Sequence, residues 1–299
     1  MSENRLQNYQ EIIHRLSYGS SQYRNNVFCH YFADLVRLLS LCNALLETRY
    51  TDPAELKITT LEGIFFDKQK NDISCVLGDQ FLMLAEHQSS INENMPFRCL
   101  AYVAEILSKL ITDKTALYKK KLIHFPTPRF FVLYNGDEAE PLKREMRLSD
   151  SFSGDGSSLE LMVTAYNINY GIGQPLLKKC PYLEEYSILV YTVKQNLAAG
   201  MKLDDAIQKA IMYCLQHNIM SDYLTDNKEV FNMMRLEWNI ADAQKAWLEE
   251  GRKEGFEDAE NRYSQLLTKL IADGRTDEVS KVAANKMRRH ELYLQYGIS

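Results

Sequence analysis

The sequence predicts an α/β domain in the order α-β-β-β-α-β, followed by an all-helical region. Three observations carry that prediction. Apolar residues recur at helical spacing over Val27–Leu46 and again from Pro96 to Ile111. Short runs rich in Ile, Thr, Leu and Phe, punctuated by turn residues, lie between and after these two segments. Beyond about Gln174 the apolar runs are helical in period. The composition permits such a fold: 299 residues, 45% hydrophobic and 25% charged, with 13 Gly and 7 Pro, suffice for one elaborated domain or two without disulfide or metal staples.

The first helix is predicted over Val27–Leu46, with Phe28, Phe32, Leu35, Val36, Leu39 and Leu46 on its apolar face, ending near Thr48–Pro53. Lys57–Phe66 alternates as a strand does. Ile73–Leu77 and Gln80–Gln88 are apolar runs joined by the turn Gly78-Asp79, so three consecutive strands follow the helix. Asn94-Met95-Pro96 starts a second helix, with Asn94 at the N-cap and Pro96 in a first turn that needs no backbone donor. Phe97, Leu100, Val103, Ala104, Leu107, Leu110 and Ile111 continue it. Lys119–Lys121, Pro126 and Pro128 interrupt the chain before the apolar strand Arg129–Tyr134, which Asn135-Gly136 closes. The loop Ser149–Ser158 leads to a further strand-like run, Leu159–Asn169. Tyr182–Leu197, Leu203–His217, Tyr223–Trp238, Ala241–Glu260 and Tyr263–Asp273 read as helices. The change of character near Gly171–Pro175 divides a domain at 1–173 from a helical region at 174–299. Gly251 and Gly255 stand in a G-x-x-x-G spacing, but the charges around them point to a solvated or partner-facing helix, not a membrane dimer.

Several function classes drop out. The longest apolar helix candidate, Tyr31–Leu46, carries Asp34, Arg37 and Asn43 and falls short of the roughly 18–20 uninterrupted apolar residues of a spanning helix. Met1–Arg15 has no apolar h-region, so no signal peptide is expected. Cys29, Cys42, Cys75, Cys99, Cys180 and Cys214 form no C-x-x-C pair and are expected to be reduced core residues of a cytoplasmic protein. No Walker or Rossmann phosphate loop is legible, Ser89 and Ser90 sit in no nucleophile elbow, and the histidines share no zinc-like spacing. Net charge is −5, yet Met95–Asp150 holds 10 basic against 7 acidic residues. That local excess suits either a phosphate-facing patch or a solvated helix end followed by a lysine-rich loop.

The residues best placed for chemistry are Asn71-Asp72, at the start of the second strand, and Glu86-His87-Gln88, at the end of the third. Asp72 and Glu86 stand 6 and 7 residues from the Gly78-Asp79 turn, so a tight hairpin sets them side by side at its open end. Two such carboxylates can hold a hard cation such as Mg²⁺. A solvated sheet edge also carries carboxylates, and spacing alone leaves both readings open. Glu86 and Gln88 share one face of the strand, and His87 points to the other as a packed or hydrogen-bonded histidine.

The order of elements, with Asp at the second strand and Glu-x-Gln at the third, resembles the restriction-endonuclease-like αβββαβ core of PD-(D/E)XK phosphodiesterases. Leu61–Glu62, Lys70–Ser74, Glu86-His87-Gln88-Ser89-Ser90, Asn92–Arg98, Phe125–Gly136 and Tyr186–Val193 are similar to the bacterial recombination-promoting nuclease family, often labelled transposase-like, within that superfamily. The similarity spans nearly the whole chain and includes the GRKEG segment and the ending LYLQYGI.

The resemblance implies a Mg²⁺- or Mn²⁺-dependent DNA endonuclease, with DNA as partner, whose cleavage promotes recombination. By position, Asp72 and Glu86 would bind the metal and Gln88 would stand where the superfamily usually has Lys. Glutamine brings no positive charge to a developing phosphorane, and Lys68, Lys70 and Arg98 are the cations at hand to replace it. Superfamily members often add a carboxylate from the first helix; Glu47 is favoured here over Asp34, and either residue also reads as an exposed helix charge. The helical region is expected to contact DNA or a second copy of the chain. Gln88 and the acidic net charge leave an alternative open, a catalytically degenerate member of the fold that binds DNA or protein.

Overall fold

The computed structural model describes residues 27–59, 72–154, 156–227 and 229–298. They form an α/β arrangement built on a mixed six-stranded sheet. The predicted first helix is two helices, α1 (Val27–Tyr31) and α2 (Leu35–Leu46). Asp34 causes the break: its carboxylate accepts the backbone N–H groups of Val36 and Arg37, both at 3.0 Å, and so starts a new helix. Leu35 and Val36, expected on the apolar face, are exposed in that first turn.

Strands β1 (Leu56–Ile58), β2 (Ile73–Leu77) and β3 (Phe81–Gln88) make an antiparallel meander. Most of the predicted strand Lys57–Phe66 falls outside the described residues, as do Lys68, Lys70 and Asn71. Helix α3 (Met95–Leu110) crosses over to β4 (Thr127–Tyr134), which pairs parallel to β3. Asn94 takes the N-cap position as predicted, but its side chain makes no capping hydrogen bond among the described residues. Strand β6 (Met162–Asn167) lies parallel to β4, and β5 (Lys143–Arg147) closes the edge antiparallel to it, giving the order β1-β2-β3-β4-β6-β5. Strand β5 is not among the predicted strands.

The change to all-helical structure comes where the sequence places it, with α4 (Pro175–Lys179), α5 (Pro181–Ala198), α6 (Leu203–Gln216) and α7 (Ser221–Asp226). The predicted helices Ala241–Glu260 and Tyr263–Asp273 run together with the end of Tyr223–Trp238 in one helix, α8 (Val230–Ala272). Two unpredicted helices follow, α9 (Thr276–Ala284) and α10 (Lys286–Tyr296). No helix among the described residues is long and apolar enough to cross a membrane.

Strand alternation sends side chains to two cores. On one face Val76, Leu82, Leu84, Phe130, Val132 and Val163 pack against Met95, Cys99, Val103 and Ile106 of α3. On the other, Cys75, Met83, Ala85, Phe131 and Leu133 pack against α1, α2 and the helices after residue 174, through Leu183, Tyr186, Leu189 and Ile211. The helices that follow the sheet therefore share its core, and the compact unit extends to Trp238; a second unit comprises Asn239–Ser299. All six cysteines are buried, with the Cys42 and Cys75 sulfurs 3.3 Å apart.

Candidate active site

Hairpin register builds the site. Ile73 pairs with Ala85, so one step further out Asp72 lies opposite Glu86 at the open end of the β2–β3 hairpin. The two residues interlock there: the Asp72 N–H donates to Glu86 Oε1 at 3.2 Å, and the His87 N–H donates to Asp72 Oδ2 at 2.7 Å. The juxtaposition expected from the spacing is thus present.

Glu86 is 4% exposed. Burial, and then the negative charge of Asp72, push its pKa up to about 8, against the opposing pull of the Arg98 guanidinium and the Asp72 N–H. Burial and Asp72 thus favour the protonated carboxyl, and Arg98 and the Asp72 N–H favour the carboxylate.

Gln88 lies on the same face, two residues on. Its Nε2 donates to the sulfur of Met95 at the start of α3, which turns its carbonyl oxygen the other way. Arg98, one turn into α3, reaches over Glu86: Nη2 lies 3.0 Å from Glu86 Oε2 and 3.0 Å from the Tyr102 hydroxyl, and Nη1 lies 3.4 Å from the same Met95 sulfur. Of the three cations the sequence offered in place of the usual lysine, Arg98 is the one the described residues bring to Glu86. Tyr102 belongs to this group as well, although only the helical spacing Arg98–Tyr102 signalled it.

His87 points to the opposite face, as the alternation required. Its ring stacks on Phe28 with centroids 4.7 Å apart, and Nε2 lies 3.1 Å from the Tyr186 hydroxyl. Burial, with Lys194 nearby, pushes its pKa down to about 3, so it stays neutral. Lys194 is held at the end of β4 by the Asn135 and Gly136 carbonyls, Asn169 Oδ1 and Asp137. Gly136 is required where it stands, because a Cβ there would strike the Ser89 carbonyl and the Tyr134 ring.

Neither first-helix acid joins this group. Glu47 sits just beyond α2 in a left-handed conformation, exposed and paired with Lys179 at 2.8 Å. Asp34 is spent on the α2 cap. A carboxylate that sequence reasoning missed, Glu237 of α8, accepts the Val27 N–H and lies within electrostatic reach of Asp72; burial is the larger cause that pushes its pKa up to about 8. Among the described residues no three His, Cys, Asp or Glu side chains converge to hold an ion by themselves. The donor set at Asp72 and Glu86 fits Mg²⁺ or Mn²⁺ in the manner of a site that takes one or two carboxylates and leaves the remaining positions to water and phosphate oxygens. No protein-family model, curated protein or solved structure matches this chain.

Proposed function

We propose that this chain is a metal-dependent DNA endonuclease with a restriction-endonuclease-like core. The observation that supports the reading most directly is the Asp72–Glu86 pair, held by hairpin register at one sheet end with Gln88 on the same face. The observed element order, with helices before a three-strand meander, a crossover helix and a parallel fourth strand, agrees with it.

Phosphodiester hydrolysis forms one bond from a water oxygen to phosphorus and breaks one from phosphorus to a sugar oxygen. The water gives up a proton, and the leaving oxygen takes one. Bound Mg²⁺ or Mn²⁺ would supply Lewis acidity at the phosphate and lower the pKa of the attacking water. Asp72 and Glu86 would hold the cation through their carboxylate oxygens. Gln88, with its amide fixed on Met95, orients water or phosphate through its carbonyl oxygen.

Plasmid cleavage in Mg²⁺, Mn²⁺, Ca²⁺ and EDTA tests the reading. Cleavage is expected with Mg²⁺ or Mn²⁺, is lost in EDTA, and is lost in Asp72→Ala while the circular dichroism spectrum is kept. Cleavage retained in that variant would sink the assignment. The Arg98–Glu86 ion pair favours a second reading, a degenerate DNA- or protein-binding module in which the pair is purely structural. Calorimetric titration with Mn²⁺ separates the two, since the module predicts no binding.

A further inference from the structure

We infer that Arg98 supplies the positive charge that Gln88 cannot: it pairs with Glu86 while the site lacks a cation and turns to the scissile phosphate once a cation takes that carboxylate. This rests on the nuclease reading above. Three observations point to it.

The first is place. Arg98 Nη1 and Gln88 Nε2 meet at one atom, the sulfur of Met95. The guanidinium therefore lies within one side chain of the position where the resemblance puts a lysine. Two other described cations lie nearby and are already engaged: Lys194, with His87 on the opposite face, by two carbonyls, Asn169 and Asp137, and Arg144, beside Gln88, by Glu93 and Glu140.

The second is how poorly its donors are used. One N–H of Nη1 is spent on a thioether, a weak acceptor, and the buried Nε has no hydrogen-bond partner among the described residues. A buried donor without a partner costs stability, and a phosphate oxygen is the acceptor for which a planar guanidinium is best suited. The side chain is 21% exposed, so solvent and a bound backbone can reach it.

The third is electrostatic exchange. Among the described residues, Glu86 is the one carboxylate paired with Arg98. A divalent ion on Glu86 removes the attraction that holds the guanidinium there and leaves it opposite a phosphate carrying the complementary charge.

The test compares wild type with Arg98→Gln, Arg98→Lys and Asp72→Ala for plasmid cleavage and for Mn²⁺ affinity by calorimetry. Arg98→Gln is expected to lower kcat by roughly 100-fold or more, the usual loss for one charge-stabilising donor, while Mn²⁺ binds as tightly as in wild type or more tightly because a competitor for Glu86 is gone. Arg98→Lys keeps the charge and recovers at least ~10-fold of that loss. Should Arg98→Gln fail to fold, Arg98→Lys decides alone, with reduced kcat and wild-type Mn²⁺ affinity expected. Cleavage by Arg98→Gln within about threefold of wild type, or loss of Mn²⁺ binding in parallel with cleavage in either variant, overturns the role of Arg98 and leaves the nuclease standing. If wild type neither cleaves nor binds Mn²⁺ differently from Asp72→Ala, the nuclease reading fails and this inference with it.

Discussion

Glu86 makes the cation-free protein sensitive to pH above neutrality. Its pKa rises from 4.5 to about 8 on folding, and that of Glu237 also rises to about 8. Between pH 6.5 and 8 the folded chain holds protons at both sites that the unfolded chain has already released, so stability falls as pH rises, by at most about 1.4 kcal/mol per pH unit for each group. His87 works in the other direction. Its folded pKa of about 3 lies below the unfolded 6.5, so the unfolded chain gains a proton first and stability falls as pH drops through that interval. From 4.5 to 6.5 Glu86 and His87 oppose each other. Denaturant titration in EDTA should therefore show wild type losing stability between pH 6.5 and 8, and Glu86→Gln losing about half as much; an unchanged slope in the variant would place the titration elsewhere. Asp72 and Glu86 were legible in the sequence because a two-residue turn and a strand period of two fix what lies opposite what. Arg98 could be named but not ranked against Lys68 and Lys70, because its approach to Glu86 depends on how α3 seats on the sheet. Glu237 gave no signal, since only tertiary packing carries α8 to Val27.

At the level of elements, the apolar period predicted one helix over Val27–Leu46 where Asp34 makes two. A residue that reads as a tolerated polar position in a helix competes for backbone donors and wins when it can cap. Asp34→Ala should cost about 1 kcal/mol of stability, the usual value of an N-cap, and Asp34→Asn should cost little because asparagine caps as well. Cleavage should survive Asp34→Asn unchanged, measured in the same plasmid assay; its loss would return Asp34 to the metal site. Strand β5 was illegible for a related reason. Its sequence, Lys-Arg-Glu-Met-Arg, buries Met146 alone, as an edge strand does, and carries charges that discourage further pairing. Helices α9 and α10 escaped notice because their apolar residues are few, with Val282 and Leu292 the buried ones.

On the scale of the whole chain, the residue at which secondary structure changes is not the residue at which a compact unit ends. The helices that begin at Pro175 bury Leu183, Tyr186 and Leu189 against the same sheet face as Met83 and Leu133, so they belong to the site's own unit and hold His87 through Tyr186. The unit from Asn239 onward has a separate and smaller core of Leu266, Leu270, Val282, Leu292 and Ile298. Elements with few buried apolar contacts open at lower free energy than a large core does. Amides of Tyr263–Tyr296 should accordingly exchange hydrogen faster than those of β3 and β4. Leu270 is fully buried there, and Leu270→Ala should cost the roughly 2–5 kcal/mol of a large-to-small core change. Because the two cores share none of these side chains, hydrogen exchange in that variant should accelerate across Tyr263–Tyr296 and stay at the wild-type rate in β3. Accelerated exchange in β3 would show that the sheet draws part of its stability from the terminal helices, and cleavage would then be expected to fall with it.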